Sequence, residues 1–213
     1  MDISRAQEIL DYWIPKDGSQ NMDKWFKKSS EYDAEITEKF GELLKEAEAG
    51  KGFGWLVSKD TFVAYIILTD QFSRHIYRDT AAAFKNDVAT LLFTHAGFEL
   101  YLDELKGYEL MFAFMPYMHS EKKVAINWGY SAWEAVRDLY RTKLDSRVSD
   151  DDEDTNAQII KLVEIINDMK PHVVGHNSTI KKFGRFPKRN KALGRVSTPE
   201  ELLYIAETKG RQY

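Results

Sequence analysis

Apolar residues recur at helical spacing along almost the whole sequence, and nowhere do they alternate with polar ones at the period of two that a half-buried strand needs. A chain patterned this way has one fold class open to it, all-α. With only five Pro and twelve Gly in 213 residues, few positions interrupt long helices. The length suits a single domain of about 8–10 helices spanning 1–213. No fixed-period sequence repeat is evident, although antiparallel helix pairs can stack without one.

Individual elements follow from the spacing. Ile3, Ala6, Ile9, Leu10 and Trp13 share a helical face that stops at Pro15. Met22, Trp25 and Phe26 begin a short helix. Tyr32, Ile36, Phe40, Leu43, Leu44 and Ala47 mark a longer one, ended by Gly50 and Gly52, with Asp33 near its positive N-terminal end. Ser58 is placed to cap a helix whose sequence FVAYIIL is apolar nearly all round, as expected of a central buried helix. Its continuation, LTDQFSRHIYR, sets polar groups on that buried element. Asn86 or Asp87 is expected to cap a helix running through Val88, Leu91, Leu92, His95 and Phe98. A helix then meets Pro116, and another over Ala125 to Tyr140 buries Ile126, Tyr130, Trp133 and Val136. Ile159, Ile160, Val163, Ile166 and Ile180 predict a helix up to Phe183, with a break at Pro171. Thr198-Pro199-Glu200-Glu201 combines a capping Thr, a Pro at the first position and a Glu three residues after the cap.

Composition narrows the functional classes. The net charge of −4 gives no reason to expect nucleic-acid binding. With no cysteine, disulfides and thiolate metal sites are excluded. MDISRAQEIL has no apolar run of the kind a signal peptide needs, and the apolar runs are too short to cross a bilayer. A cytoplasmic protein without a membrane partner is expected. GxGxxG and GxxxxGK[ST] are absent, so no nucleotide cofactor is assigned by those routes.

Three polar clusters carry the chemistry. Asp70 and Arg74 are four apart on the buried helix and can pair there, while Gln71 and His75 lie beside them. In MPYMHSE, His119 and Glu121 offer a general acid/base pair, or two metal ligands; Ser120 and Glu121 could equally cap the next helix. The third is HNSTIKKFGRFPKRNKALGR, residues 176–195, with seven Lys or Arg and no acid. His176 shares a face with Ile180 and Phe183, and Gly184 can end the helix. Phe186-Pro187 fixes an extended turn that holds Arg185, Arg189 and Asn190. Guanidiniums gathered there suit an oxyanion, either a bound ligand's or the protein's own: Asp70, Glu121 or the acidic connection around 145–154, where six of ten residues are acids. His119, His176, Glu121 and Asp70 are acceptable ligand types, but no HExxH-like spacing supports a metal site and none is assigned.

DQFSRHIYRDT, MPYMHSE, HNSTIKKFGRFPKRNKALGRVSTPEE and the upstream WFKKSSEYDAEI together resemble domain-of-unknown-function family 924, whose members are mostly bacterial. The resemblance runs from about Ile9 to Thr208. It implies a helical fold similar to tetratricopeptide-repeat proteins and brings no catalytic assignment. Two departures stand out. Lys188 occupies the place of a His in the family pattern, and Ser73-Arg74-His75 stands where the pattern has Pro-Arg-Asn. Lys188 lacks the near-neutral pKa of an imidazole.

These readings converge on one expectation. Asp70, Arg74, His119, Glu121, His176, Arg185, Arg189 and Asn190 form a polar site for a small anionic molecule, with His119, Glu121 and His176 as catalytic candidates. The alternative is a helical module that holds a protein or peptide partner without catalysis. A third reading, RNA binding at 181–195, requires Lys181, Lys182, Lys188 and Lys191 to be fully exposed.

Overall fold

A computed structural model describes residues 1–17, 19–145 and 153–209. Every regular element among them is helical: α1 (Arg5–Trp13), α2 (Met22–Phe26), α3 (Ser30–Glu46), α4 (Lys59–Ile66), α5 (Ser73–Ile76), α6 (Asp87–Tyr101), α7 (Tyr108–Met118), α8 (Lys123–Asp145), α9 (Glu153–Phe183) and α10 (Pro199–Glu207). Residues 146–152 of the acidic connection lie outside the described residues. The helices fall into two compact units, Met1–Glu104 with the described residues from Phe186 onward, and Leu105–Arg185.

The first unit is built around α4. Ser58 and Thr61 form a reciprocal capping box at its start, and every residue from Phe62 to Ser73 is buried. The helix passes through a π-helical turn, Ile67–Phe72, before α5. A π turn adds a residue to the helical register, so polar and apolar side chains here do not keep to separate stripes. Asp70 and Gln71 sit inside it, both buried. Trp13 of α1, Phe40 of α3 and Phe72 close around this turn, with ring centroids 5.1 Å (Trp13–Phe72) and 4.8 Å (Phe40–Phe72) apart. On the opposite side α6 approaches α4 so closely that a Cβ at Gly97 would lie 2.0 Å from the Phe62 ring.

The second unit comprises α7, α8 and α9. Helices α8 and α9 pack along each other and α7 packs on both. Gly129 allows the approach of α8 to α7, since a Cβ there would fall 2.4 Å from Cβ of Tyr117. Leu162, Ile165, Ile166, Met169, Val173 and Ile180 form the buried face of α9.

Two local expectations are corrected, and two helices show faces that spacing alone left open. Helix α9 continues through Pro171 without a break. Ile3 is 51% exposed, because α1 begins at Arg5 and leaves it outside the helix. On α6 the buried residues are Thr90, Phe93, Thr94, Gly97 and Phe98, whereas Val88 and Leu92 face outward at 62% and 67% exposure. Phe93 and Phe98 set the helix's rotation, since large rings gain most from burial. Ile160 is likewise exposed, at 41%. Thr198 and Glu201 form the expected capping box of α10.

Candidate functional site

Asp70 is 1% exposed, and a carboxylate so placed is costly unless it is paired and hydrogen-bonded. Both conditions are met. Arg74, one turn later, brings Nη2 to 3.2 Å from Asp70 Oδ1, and Gln71 Nε2 donates to Oδ2. The same Arg74 Nη2 donates to Asp87 Oδ1 at 3.1 Å, while Nη1 donates to the carbonyls of Asp70 and Ala83. Asp87 Oδ2 in turn accepts from Arg189 Nη1 at 2.8 Å. The result is an alternating chain, Asp70–Arg74–Asp87–Arg189, whose formal charges sum to zero. The Arg189 guanidinium also lies over two phenyl rings, 4.5 Å from the centroid of Phe84 and 4.7 Å from that of Phe186. Asp87, expected only as a helix cap, is the hub. Nothing local in the sequence signals this, because its partner Arg189 is 102 positions away.

Other residues of 186–195 are also held within this unit. Asn190 is 1% exposed and donates from Nδ2 to Ser197 Oγ at 3.0 Å and Glu201 Oε2 at 3.2 Å. Glu201, itself 2% exposed, accepts the Thr198 amide at 2.8 Å. Arg195 Nη2 donates to the Phe186 carbonyl and Lys188 Nζ to that of Thr208. Lys188 is half-buried, so the condition set for RNA binding is not met there. Phe186 is 3% exposed, so it is not a surface aromatic beside the basic loop.

A third charged group, absent from the sequence-based site, joins Asp33 of α3 to His75 and Arg78. Arg78 clasps the Asp33 carboxylate with Nε on Oδ2 and Nη2 on Oδ1, while His75 Nδ1 lies 2.9 Å from Oδ1. Burial works to raise the Asp33 pKa, but the hydrogen bonds from Arg78 and His75 outweigh it and hold the carboxyl below its ordinary range.

In the second unit, His119 and His176 come together. His119 is the C-cap of α7, its amide bonded to the Met115 carbonyl, and His176 projects from α9 at 7% exposure. Their ring centroids are 5.7 Å apart with planes at 62°. Ser120 and Asn177, their immediate chain neighbours, are buried at 6% and 3%. Ser120 Oγ accepts the Lys122 amide, as a cap of the turn into α8. Asn177 Oδ1 has no hydrogen-bond partner among the described residues. Glu121 is half-buried, as is Arg185, which follows Gly184 at φ +69° beyond the end of α9. Among the described residues no three His, Asp or Glu side chains gather as a metal ion would require. No helix among them is long and apolar enough to cross a membrane.

Of the eight residues expected at the site, then, Asp70, Arg74 and Arg189 are joined through Asp87, with Asn190 beside Arg189 but bonded to Ser197 and Glu201. His119 and His176 are joined to each other.

Comparison with known proteins gives two matches. The family model described as "Bacterial protein of unknown function (DUF924)" matches residues 9–209. Among solved structures, a protein of unknown function, ATU0120, from Agrobacterium tumefaciens is similar at 25% identity and a TM-score of 0.73, covering 96% of this chain and 98% of its own. No curated protein matches.

Proposed function

Because the chain belongs to the DUF924 family of bacterial proteins of unknown function, its activity has to be read from its own side chains, and we propose that it binds a small anionic molecule at His119 and His176 and acts on it by acid/base chemistry. The observation that carries this reading is the 5.7 Å approach of two imidazoles from α7 and α9. An imidazole ordinarily titrates at about 6.5, so near neutrality one ring of a pair can donate a proton while the other accepts one. Protonated, the same rings offer N–H donors to an oxyanion. Glu121 and Arg185, in the same unit, are the carboxylate and guanidinium assigned to this site. Arg74 and Arg189 are not assigned to it, since Asp70 and Asp87 already meet their charge.

The test is a thermal-shift and calorimetric titration of the full chain with inorganic phosphate and with a short dicarboxylate. One of these anions is expected to stabilise the protein, by RT ln(1 + [L]/Kd), in the wild type and in Arg189→Lys. His119→Gln and His176→Gln are expected to remove the effect while remaining folded. Absence of any anion-dependent stabilisation in the wild type overturns the proposal.

A second reading rests on the outward face of α6. There Val88 and Leu92 are one turn apart and exposed, an arrangement suited to a helical module that holds a peptide. It predicts that Leu92→Arg abolishes partner binding without altering the melting temperature.

A further inference from the structure

Asn177 poses a problem of burial that its own unit does not solve. It is 3% exposed, and its Oδ1 has no hydrogen-bond partner among the described residues. A buried acceptor left so forfeits the bonds that water would give it, and such groups are uncommon in folded proteins unless a ligand or an ordered water meets them. Asn190 Oδ1 is also unmet, but its Nδ2 is bonded to both Ser197 and Glu201, which fixes that amide as a structural group. Among the described residues nothing anchors the Asn177 amide in this way.

Helical spacing says where Asn177 lies. Val173, His176, Asn177 and Ile180 stand at i, i+3, i+4 and i+7 on α9, and all four are buried. His176 and Asn177 are therefore neighbouring polar groups within one apolar stripe. It is this His176 that the His119 ring meets at 5.7 Å. His119 itself is half-buried, which leaves the pair an approach from solvent.

The chemical demand of the amide oxygen differs from that of the rings. Protonated imidazoles donate, and so suit any oxyanion, whereas Asn177 Oδ1 only accepts. A fully deprotonated oxyanion offers it nothing but lone pairs. An oxyanion that keeps an O–H of its own satisfies it, as a protonated phosphate or a hydroxycarboxylate does.

We infer, on the reading that His119 and His176 hold a small anion, that Asn177 selects for an oxyanion carrying its own O–H donor. The imidazoles supply N–H donors to the charged oxygens, and Asn177 Oδ1 accepts the hydrogen of the remaining one. A carboxamide does this without adding charge, whereas a carboxylate in its place would repel the anion. A site built to bond a ligand hydroxyl leaves its own buried group unmet when that hydroxyl is absent, so it discriminates more sharply than shape alone.

The experiment compares matched anions on the full chain, by thermal shift and calorimetry at about pH 6.5, where an ordinary imidazole is half protonated. Inorganic phosphate is set against sulfate, which has the same tetrahedral shape and no hydrogen. Malate is set against succinate, which lacks only the hydroxyl. In the pair that binds, the O–H member is expected to bind at least roughly tenfold tighter. Which pair responds distinguishes phosphate from hydroxycarboxylate as the source. Asn177→Leu keeps the branched shape without the acceptor, and should bring the two affinities to within about twofold of each other. The wild-type comparison needs no substitution, so it decides the matter even where Asn177→Leu does not fold. Equal affinity within each pair in the wild type overturns the selection by Asn177 and leaves the His119–His176 reading standing. A preference that survives in Asn177→Leu does the same. Stabilisation by none of the four anions overturns that reading and the selection with it.

Discussion

Two of the places where polar side chains are drawn inward solve the problem of burial differently. Around Asp87 each charge meets an opposite one, ending on Arg189, which lies over the rings of Phe84 and Phe186. Between α7 and α9 two imidazoles meet instead, His119 half-buried and His176 buried. The first arrangement fixes the 186–195 segment to the helices that carry Arg74 and Asp87. Its specificity comes from matching, and matching leaves no charge for a ligand. The second brings together side chains of the type that acid/base chemistry uses. A basic stretch is thus a poor guide to a binding site until its partners are known.

Substitutions sharpen this contrast, and the largest effect belongs at the hub. Asp87→Ala leaves two guanidiniums without their shared partner and should cost about 3 kcal/mol in urea unfolding, somewhat below a fully buried pair because these groups retain some solvent. A loss under about 0.5 kcal/mol would show that the chain of charges does not hold the segment. Arg189→Lys keeps the charge but not the fork or the stacking, and should lose roughly 1–2 kcal/mol by the same measurement. Thr198→Ala removes the cap that orders α10 and, through Glu201, the contact to Asn190. About 1 kcal/mol is expected, with faster amide exchange confined to the start of α10. The smallest effect is expected at the histidines, where His119→Gln should change stability by less than about 1 kcal/mol while removing anion-dependent stabilisation. If His119→Gln proved as damaging as Asp87→Ala, the two regions would be alike, and the imidazoles would be structural.

Much of the architecture was legible in the chain. The helical spacing gave the class, Ser58 and Thr198 marked two helix starts, and FVAYIIL marked the buried centre. These signals are local, acting within a turn or two of their source. The i,i+4 relation of Asp70 and Arg74 was readable for the same reason and is present at 3.2 Å. The rotation of α6 was not, because Val88 and Leu92 are as apolar as the residues it buries, and the packing of the large Phe93 and Phe98 rings against Phe62 decides which side faces in. Nor could the sequence show the choice of Asp87 over Asp70, Glu121 or the acidic connection as the carboxylate for Arg189, or the clasp on Asp33. Those pairings join residues 102 and 45 positions apart. The sequence by itself determined an all-helical chain, its helix starts and its inventory of charged and titratable groups. Which of those groups meet was decided only by the tertiary structure, since packing of apolar faces brings distant segments together and electrostatics then acts on whatever lies within reach.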